Sequence, residues 1–238
     1  MPDTDLLLIR HGEAHCDTAG IAGGDLGCTG LTRRGRSQAE RAARRLTVMH
    51  TMERRVDAVY ADPRRRVRET AEIIAGRLRM PVILEPRLAE AGHGSADGQS
   101  WTDIRTTFGG TPADRPDDPV APGAESWNHF VDRAAAGLRH MVERHRGQRA
   151  LVVTHAATVE VAHATMLGLP NDPDPRAAFV LAHASITWWS HRTSETGPPR
   201  WHLVWHNSTA HLAHSLFDRD VEPAVRTRRD VRRPPGRP

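Results

Sequence analysis

The chain has 238 residues and a formal net charge of +4, enough for one large domain or two small ones around a sizeable core. No apolar run approaches the roughly 18 residues of a spanning helix, and the acidic start Met1-Pro2-Asp3-Thr4-Asp5 is unlike the basic start of a signal peptide, so a cytoplasmic protein without a membrane partner is expected. Cys16 and Cys28 have neither CxxC spacing nor a second pair, which speaks against a disulfide framework or a zinc site and leaves two free thiols.

All 33 basic residues are arginine, and from Asp218 onward seven of them face four acids, so the body up to Phe217 carries only +1. An arginine-rich tail with Pro234, Pro235 and Pro238 could serve nucleic acid or an acidic surface. The reading adopted is a solvated, disordered terminus over 218–238 that follows a catalytic domain over 1–217, with no nucleic-acid partner.

In chain order, Leu6 to Ile9 is an apolar run that reads as a strand covered on both faces. It delivers Arg10-His11-Gly12 at its carboxyl end, where Gly12 permits a sharp turn or a close approach. A loop from Glu13 to Gly30 leads to Thr32, a helix N-cap, and to a helix reaching about Leu46 with Ala39, Ala42, Ala43 and Leu46 on its apolar stripe. Val56 to Tyr60 reads as a second strand. Asp62-Pro63 then opens a helix through Leu78, with Val67, Thr70, Ala71, Ile74 and Leu78 inward.

Pro81 to Leu84 is a third strand. The polar stretch from Gly92 to Gly123 is too long for an ordinary connection and reads as a lid or insertion. A helix is expected from Ser126 to Arg146, a strand from Ala150 to Thr154, and a helix from about Thr158 to Leu167. Two late strands, Ala184 to Trp189 and His202 to Trp205, flank a Gly-Pro-Pro turn. Strands alternating with helices imply an α/β fold whose central sheet is mainly parallel and sandwiched by helices.

The strand-end pattern repeats: Leu151-Val152-Val153-Thr154-His155 ends in histidine as Leu6 to His11 does. In open α/β sheets the carboxyl ends of strands, where strand order reverses, are the ligand-binding edge. Between the two lie Arg66, in Asp62-Pro63-Arg64-Arg65-Arg66-Val67-Arg68-Glu69-Thr70-Ala71, and Glu90, before Ala91-Gly92-His93-Gly94-Ser95-Ala96-Asp97-Gly98.

This ordered set resembles the histidine phosphatase superfamily, also called the phosphoglycerate mutase-like family. Arg10-His11-Gly12 is similar to its nucleophile motif, and Gly30-Leu31-Thr32 with Gly35, Gln38 and Ala39 to the stretch that follows. Arg66 with Thr70-Ala71 resembles the second-arginine motif, whose usual Ser and Leu are here Asp62 and Arg64. Glu90 with Gly94 and Gly98 is similar to the acid-residue motif, and Pro122 to Ser126 to the segment after the insertion. His155 falls on the second histidine, and Asn207 with His211-Leu212 on the late strand. The resemblance implies a phosphoglycerate mutase-like fold over nearly the whole domain.

It also implies a chemistry. Neutral imidazole can attack a phosphate monoester that would repel an anionic nucleophile, so His11 is expected to form a phosphohistidine. Arg10 and Arg66 would hold the non-bridging oxygens and keep His11 unprotonated, and His155 would stabilise charge on the transferring group. Glu90 is the expected general acid for the leaving alkoxide and general base for water, protonated at the start because burial and a nearby phosphate raise its pKa. Gly23 and Gly24 fall where family members bring backbone N–H groups to substrate, and Ala156 is also expected to bind substrate. Asp17 stands where many relatives carry Asn, and would repel phosphate unless turned away or paired with an arginine.

No metal or other cofactor is expected, since arginines supply the positive charge. The expected activity is that of a phosphoric monoester hydrolase of histidine acid phosphatase type acting on a small phosphorylated metabolite. The alternatives are mutase-type phosphoryl transfer and a silent member that binds a phospho-ligand. Mutases carry a different segment after the acid residue than Gly92 to Gly98, which favours hydrolysis. An exposed sheet edge leaves a homodimer open.

Overall fold

The computed structural model describes residues 2–110, 115–171, 178–192 and 197–213, so the basic tail at 218–238 lies outside the described residues. β1 (Thr4–Arg10), β2 (Ala58–Ala61), β3 (Val82–Leu84), β4 (Arg149–Thr154), β5 (Ile186–Arg192) and β6 (Arg200–Ser208) form one sheet in the order β3-β2-β4-β1-β5-β6. The first four in that order run parallel, as the alternation of strands and helices predicts. β5 is antiparallel to β1 and β6 to β5, so the sheet is mixed but mostly parallel. Only seven residues separate β5 from β6, too few for a helical crossover, so these two strands run in opposite directions.

The continuous apolar runs follow from coverage on both faces. Leu6 and Leu8 point into one core with Ala150 and Val152, and Leu7 and Ile9 into the other with Leu151 and Val153, as a side-chain period of two requires. The first core is closed by α5 (Trp127–Arg144) through Phe130, Leu138 and Met141, and by α6 (Ala156–Leu167) through Val159 and Ala162. The second is closed by α2 (Arg33–Val48) through Ala42, Ala43 and Leu46, and by α3 (Arg65–Leu78) through Val67, Ala71 and Ile74. Truncating a fully buried anchor such as Phe130 or Leu138 to Ala would cost about 3–5 kcal/mol.

Thr32 caps α2 as expected, its hydroxyl accepting from Gly35 N at 2.9 Å. The loop after β1 contains a short helix, α1 (His15–Ala19), that the sequence reading passed over because it has no apolar period and ends at Gly20, φ 65°. Within Gly92 to Gly123 lies α4 (Trp101–Phe108), capped by Ser100. This stretch builds a small core of its own from Ala22, Ala96, Ile104, Val120 and Ala121, with Trp101 and Phe108 packed on it. Among the described residues no helix is long and apolar enough to cross a membrane.

Candidate active site

Three parallel strands end side by side. Arg10 is in register with Thr154 and Ala61 with Val153, so the residues that follow, His11, His155 and Asp62, share one edge of the sheet. His11 N donates to Thr154 O at 2.9 Å. Gly12 then turns the chain beneath α2, where a Cβ would sit 2.4 Å from Gly35 O, so no larger residue fits there.

His11 is buried, and its Nδ1–H donates to Gly12 O at 2.8 Å, leaving the lone pair on Nε2. That atom accepts from Arg66 Nε at 3.1 Å. Burial, then the Arg66 guanidinium, then His155 push the His11 imidazole well below its ordinary pKa, so the ring is neutral.

Arg66 stands in the first turn of α3, and Thr70 fixes that turn to β1 by donating to Arg66 O and accepting from Gly12 N at 3.1 Å. Its guanidinium is the hub of the cluster. Nη1 donates to Gly23 O, and Nη2 donates to Glu90 Oε2 at 2.9 Å and to His155 Nδ1 at 3.1 Å. Burial would lower the Arg66 pKa, but the charge of Glu90 and the two cysteines outweigh it and raise it.

Glu90 departs from expectation. Burial pushes its carboxyl up, yet His155 whenever it carries a proton, and the permanent charges of Arg66 and Arg64, outweigh burial and hold it at about 2, so it is ionised here rather than protonated. The expectation weighed burial and substrate charge and left out the guanidinium of Arg64, whose Nη1 lies 3.7 Å from Glu90 Oε2. Arg64 is locked by donating from Nη2 to Glu90 O and Ala91 O, and its buried Nη1 has no hydrogen-bond acceptor among the described residues.

His155 is buried with Nε2–H donating to Asp62 Oδ2, and Nδ1 lies 3.4 Å from Glu90 Oε2. Burial and then Arg66 depress its pKa well below the ordinary value, while burial raises that of Asp62. The ring of His155 meets that of His11 edge to face, centroids 5.1 Å apart.

Arg10 leaves the edge on the other side. Nη1 donates to Leu181 O, and Nη2 lies 2.8 Å from His183 Nε2. The same nitrogen of His183 lies 3.1 Å from Asp17 Oδ2, so Asp17 is paired, with a histidine rather than an arginine. Burial raises the Asp17 carboxyl, but the hydrogen bond to His183, then His11, bring it below the ordinary range. The late-strand residues Asn207 and His211 anchor this segment, Asn207 accepting from Ala182 N and His211 Nε2 donating to Ala184 O.

The structure therefore brings together His11, Arg10, Arg66, Glu90 and His155. Gly23 and Gly24 lie beside them for a different reason from the one expected. A Cβ at Gly23 would meet Cys16 Sγ at 2.6 Å and Arg66 Nη1 at 3.0 Å, and one at Gly24 would meet Asp97 Cγ at 2.5 Å. The N–H of Gly24 is engaged by Asp97 Oδ1 at 2.8 Å. Ala156 opens α6 directly after His155, where first-turn N–H groups have no helical acceptor.

Asp62, Arg64 and His183 are the members that motif reading missed. The first two were visible as departures from the family pattern, while His183 carries no sequence signal. Cys16 and Cys28 are free and buried against the cluster, with Arg66 N donating to Cys28 Sγ at 3.4 Å. Among the described residues, His11, Asp17 and His183 are the set whose ligand-type atoms fall within 4.8 Å of one another. Arg66 Nε donates to the His11 Nε2 lone pair that a cation would need, and the Arg10 guanidinium lies beside His183, which suits an anion and opposes a cation.

A mixed α/β sheet with two histidines at neighbouring strand ends, clamped by arginines, defines a phospho-ligand class of site. Residues 6–208 match the histidine phosphatase superfamily (branch 1), and the chain belongs to that family. A metal-independent phosphoserine phosphatase from Arabidopsis thaliana is 28% identical over 225 residues, covering 92% of this chain and 90% of the relative. A probable phosphoglycerate mutase from Erwinia tasmaniensis is 28% identical over 223 residues, 90% of this chain and 97% of that protein. Among solved structures, Bacillus stearothermophilus YhfR superposes with a TM-score of 0.72 at 25% identity, covering 88% of this chain and all of its own.

Proposed function

We propose that the protein is a metal-independent phosphomonoesterase that works through a phosphohistidine on His11. The observation that carries this reading is the arrangement around Arg66. One buried guanidinium touches the lone-pair nitrogen of His11 and the carboxylate of Glu90, and two further buried donors, Arg10 Nε and Arg64 Nη1, have no hydrogen-bond acceptor among the described residues. Buried charged donors without a hydrogen-bond acceptor suit an anionic ligand, and forked guanidiniums match phosphate oxygens.

In the first half-reaction His11 Nε2 attacks phosphorus as the ester P–O bond breaks, and Glu90 delivers a proton to the leaving oxygen. In the second, Glu90 takes a proton from water, whose oxygen attacks phosphorus as the N–P bond breaks. Arg10, Arg66 and His155 hold the equatorial oxygens throughout. The relatives carry both phosphatase and mutase names. Hydrolysis is favoured by the first of them and by Gly92 to Gly98, which differs from the corresponding mutase segment.

His11→Ala should lower phosphate release by about 10⁴-fold or more with the fold retained by circular dichroism. Unchanged release would sink the mechanism. Phosphoserine and 3-phosphoglycerate are the first substrates to try. With 3-phosphoglycerate and trace 2,3-bisphosphoglycerate, isomerisation faster than phosphate release would transfer the choice to a mutase.

A further inference from the structure

An ionised Glu90 cannot by itself be the acid that its place in the site requires. It must receive a proton from a neighbour. Within ion-pairing reach its Oε2 faces three groups: the guanidiniums of Arg66 at 2.9 Å and Arg64 at 3.7 Å, which do not give up protons, and His155 Nδ1 at 3.4 Å; the imidazole of His93 bears on it only from farther away. The opposite nitrogen of His155 is bonded to Asp62, which is fully buried and stands where the family usually has Ser. Asp62 is itself held rigidly, its Oδ1 accepting from Arg64 N and the carboxyl also bonded by the backbone of Glu90.

We propose that Asp62, His155 and Glu90 form a proton relay, in which Asp62 is a positioning residue that makes His155 the proton source for Glu90. The proposal rests on the reading of Glu90 as the leaving-group acid. In the unliganded state His155 is neutral, with Nε2–H on Asp62 and Nδ1 accepting from Arg66. The groups facing it are Asp62 from the end of β2, Arg66 from α3, Glu90 from the loop after β3 and His11 from the end of β1, with the charges of Arg64, just before α3, and Arg10, the last residue of β1, also acting on it.

A phosphate monoester, whose second pKa is near 6, arrives in part as the monoanion. Arg66 then turns its Nη2 bond to the phosphate, freeing the Nδ1 lone pair, and the proton of the monoanion moves there. The resulting imidazolium lies between two carboxylates, Asp62 and Glu90. Nδ1 passes the proton to Oε2, and Oε2 passes it to the leaving oxygen as that oxygen departs from phosphorus. After water attacks, the proton it loses returns by Glu90 to His155 and leaves with inorganic phosphate, so both protons and charges balance. A serine at position 62 could orient His155 but would supply no charge to hold an imidazolium.

The test compares wild type with Asp62→Asn and Asp62→Ser on two substrates, p-nitrophenyl phosphate, whose acidic phenol departs without a proton, and an alkyl phosphate, whose alkoxide needs one. The relay predicts that kcat on the alkyl ester falls at least tenfold more than on the aryl ester in both variants. It also predicts that the alkaline limb of the alkyl profile moves to lower pH, because an imidazolium without Asp62 loses its proton sooner. Equal losses on the two esters, or an unshifted limb, would overturn the relay, since a purely structural role slows both alike. Glu90→Gln separates this outcome from failure of the underlying reading: equal losses there would show that Glu90 is not the acid at all. Melting curves of the Asn variant, nearly isosteric with Asp, exclude misfolding as the cause.

Discussion

At the carboxyl ends of β1, β2 and β4, His11, Asp62 and His155 stand on ladder-bonded strands whose side chains fill two cores, whereas Gly92 to Gly123 reaches the same site from a satellite. Among the described residues the satellite contributes four buried apolar side chains, Ala96, Ile104, Val120 and Ala121, which pack with Ala22 of the loop after β1. It is tied to the loop after β1 by Asp97, which accepts from Gly24 N, Leu26 N and Gly27 N, and by backbone bonds between Ala22 and both Gly98 and Gln99. The comparison separates two design problems. The strand-end groups are placed by sheet register. The satellite is held beside them by a few hydrogen bonds and a small core.

Arg66→Lys strikes hardest at the strand-end side. Lysine keeps the charge but presents one nitrogen, which cannot reach His11, Gly23, Glu90 and His155 together. A fall in kcat/KM of about 10³-fold on p-nitrophenyl phosphate is expected, the scale of losing a preorganised electrostatic donor. A loss below tenfold would mean that the four contacts do not act as a unit, and the contrast between rigid edge and satellite would collapse.

The next effect concerns pH and comes from a histidine that is buried like the strand-end pair but lies apart from them. His163, on the inner face of α6, is fully buried against Trp189 and carries an Nε2 with no protein partner; burial, then His206, bring its pKa to about 4. A histidine whose folded pKa lies below its unfolded value binds its proton more readily in the unfolded chain. Stability is therefore fully present above about pH 6.5 and is lost as pH falls from there toward 4, by up to about 3 kcal/mol. His11 and His155 are depressed in the same direction and add to the slope. Denaturant melts at pH 7 and pH 5 should show it in wild type, with a shallower slope in His163→Phe. Equal slopes would move the whole effect to the strand-end histidines.

How much of this was legible in the sequence follows the same division. Runs such as Leu6 to Ile9 and Leu151 to Thr154 announce buried strands because coverage on both faces demands apolar residues at every position, and a histidine at the end of each then marks the edge. The helices α2, α3 and α5 show in their stripes and caps. α1 and α4 did not, since α1 is five residues without an apolar stripe and α4 is a short helix whose Trp101, Ile104 and Phe108 pack only on the small satellite core. Charge state was the least legible: Glu90 read as protonated because its sequence neighbourhood shows burial, while Arg64 and Arg66 approach it only once α3 has folded beside β2. Likewise the glycines at 23 and 24 are legible as a loop, but the side chains they make room for, Arg66 and Asp97, come from 43 and 73 residues away.

The smallest effect should come from the tie between the two regions. Asp97→Ala leaves three backbone N–H groups, those of Gly24, Leu26 and Gly27, without their acceptor, but in a half-exposed loop where water replaces much of what is lost. A loss of about 1–2 kcal/mol in global stability is expected. The kinetic consequence should be selective, because none of the groups at the strand ends depends on Asp97. KM should rise several-fold while kcat on p-nitrophenyl phosphate stays within about threefold, since a loosened loop weakens the wall that receives substrate without moving His11 or Arg66. If kcat fell as far as in the Arg66 variant, the loop from Gly23 to Gly27 would have to be counted part of the rigid edge. Gly23 O, which accepts from Arg66 Nη1, is the contact through which that coupling would run.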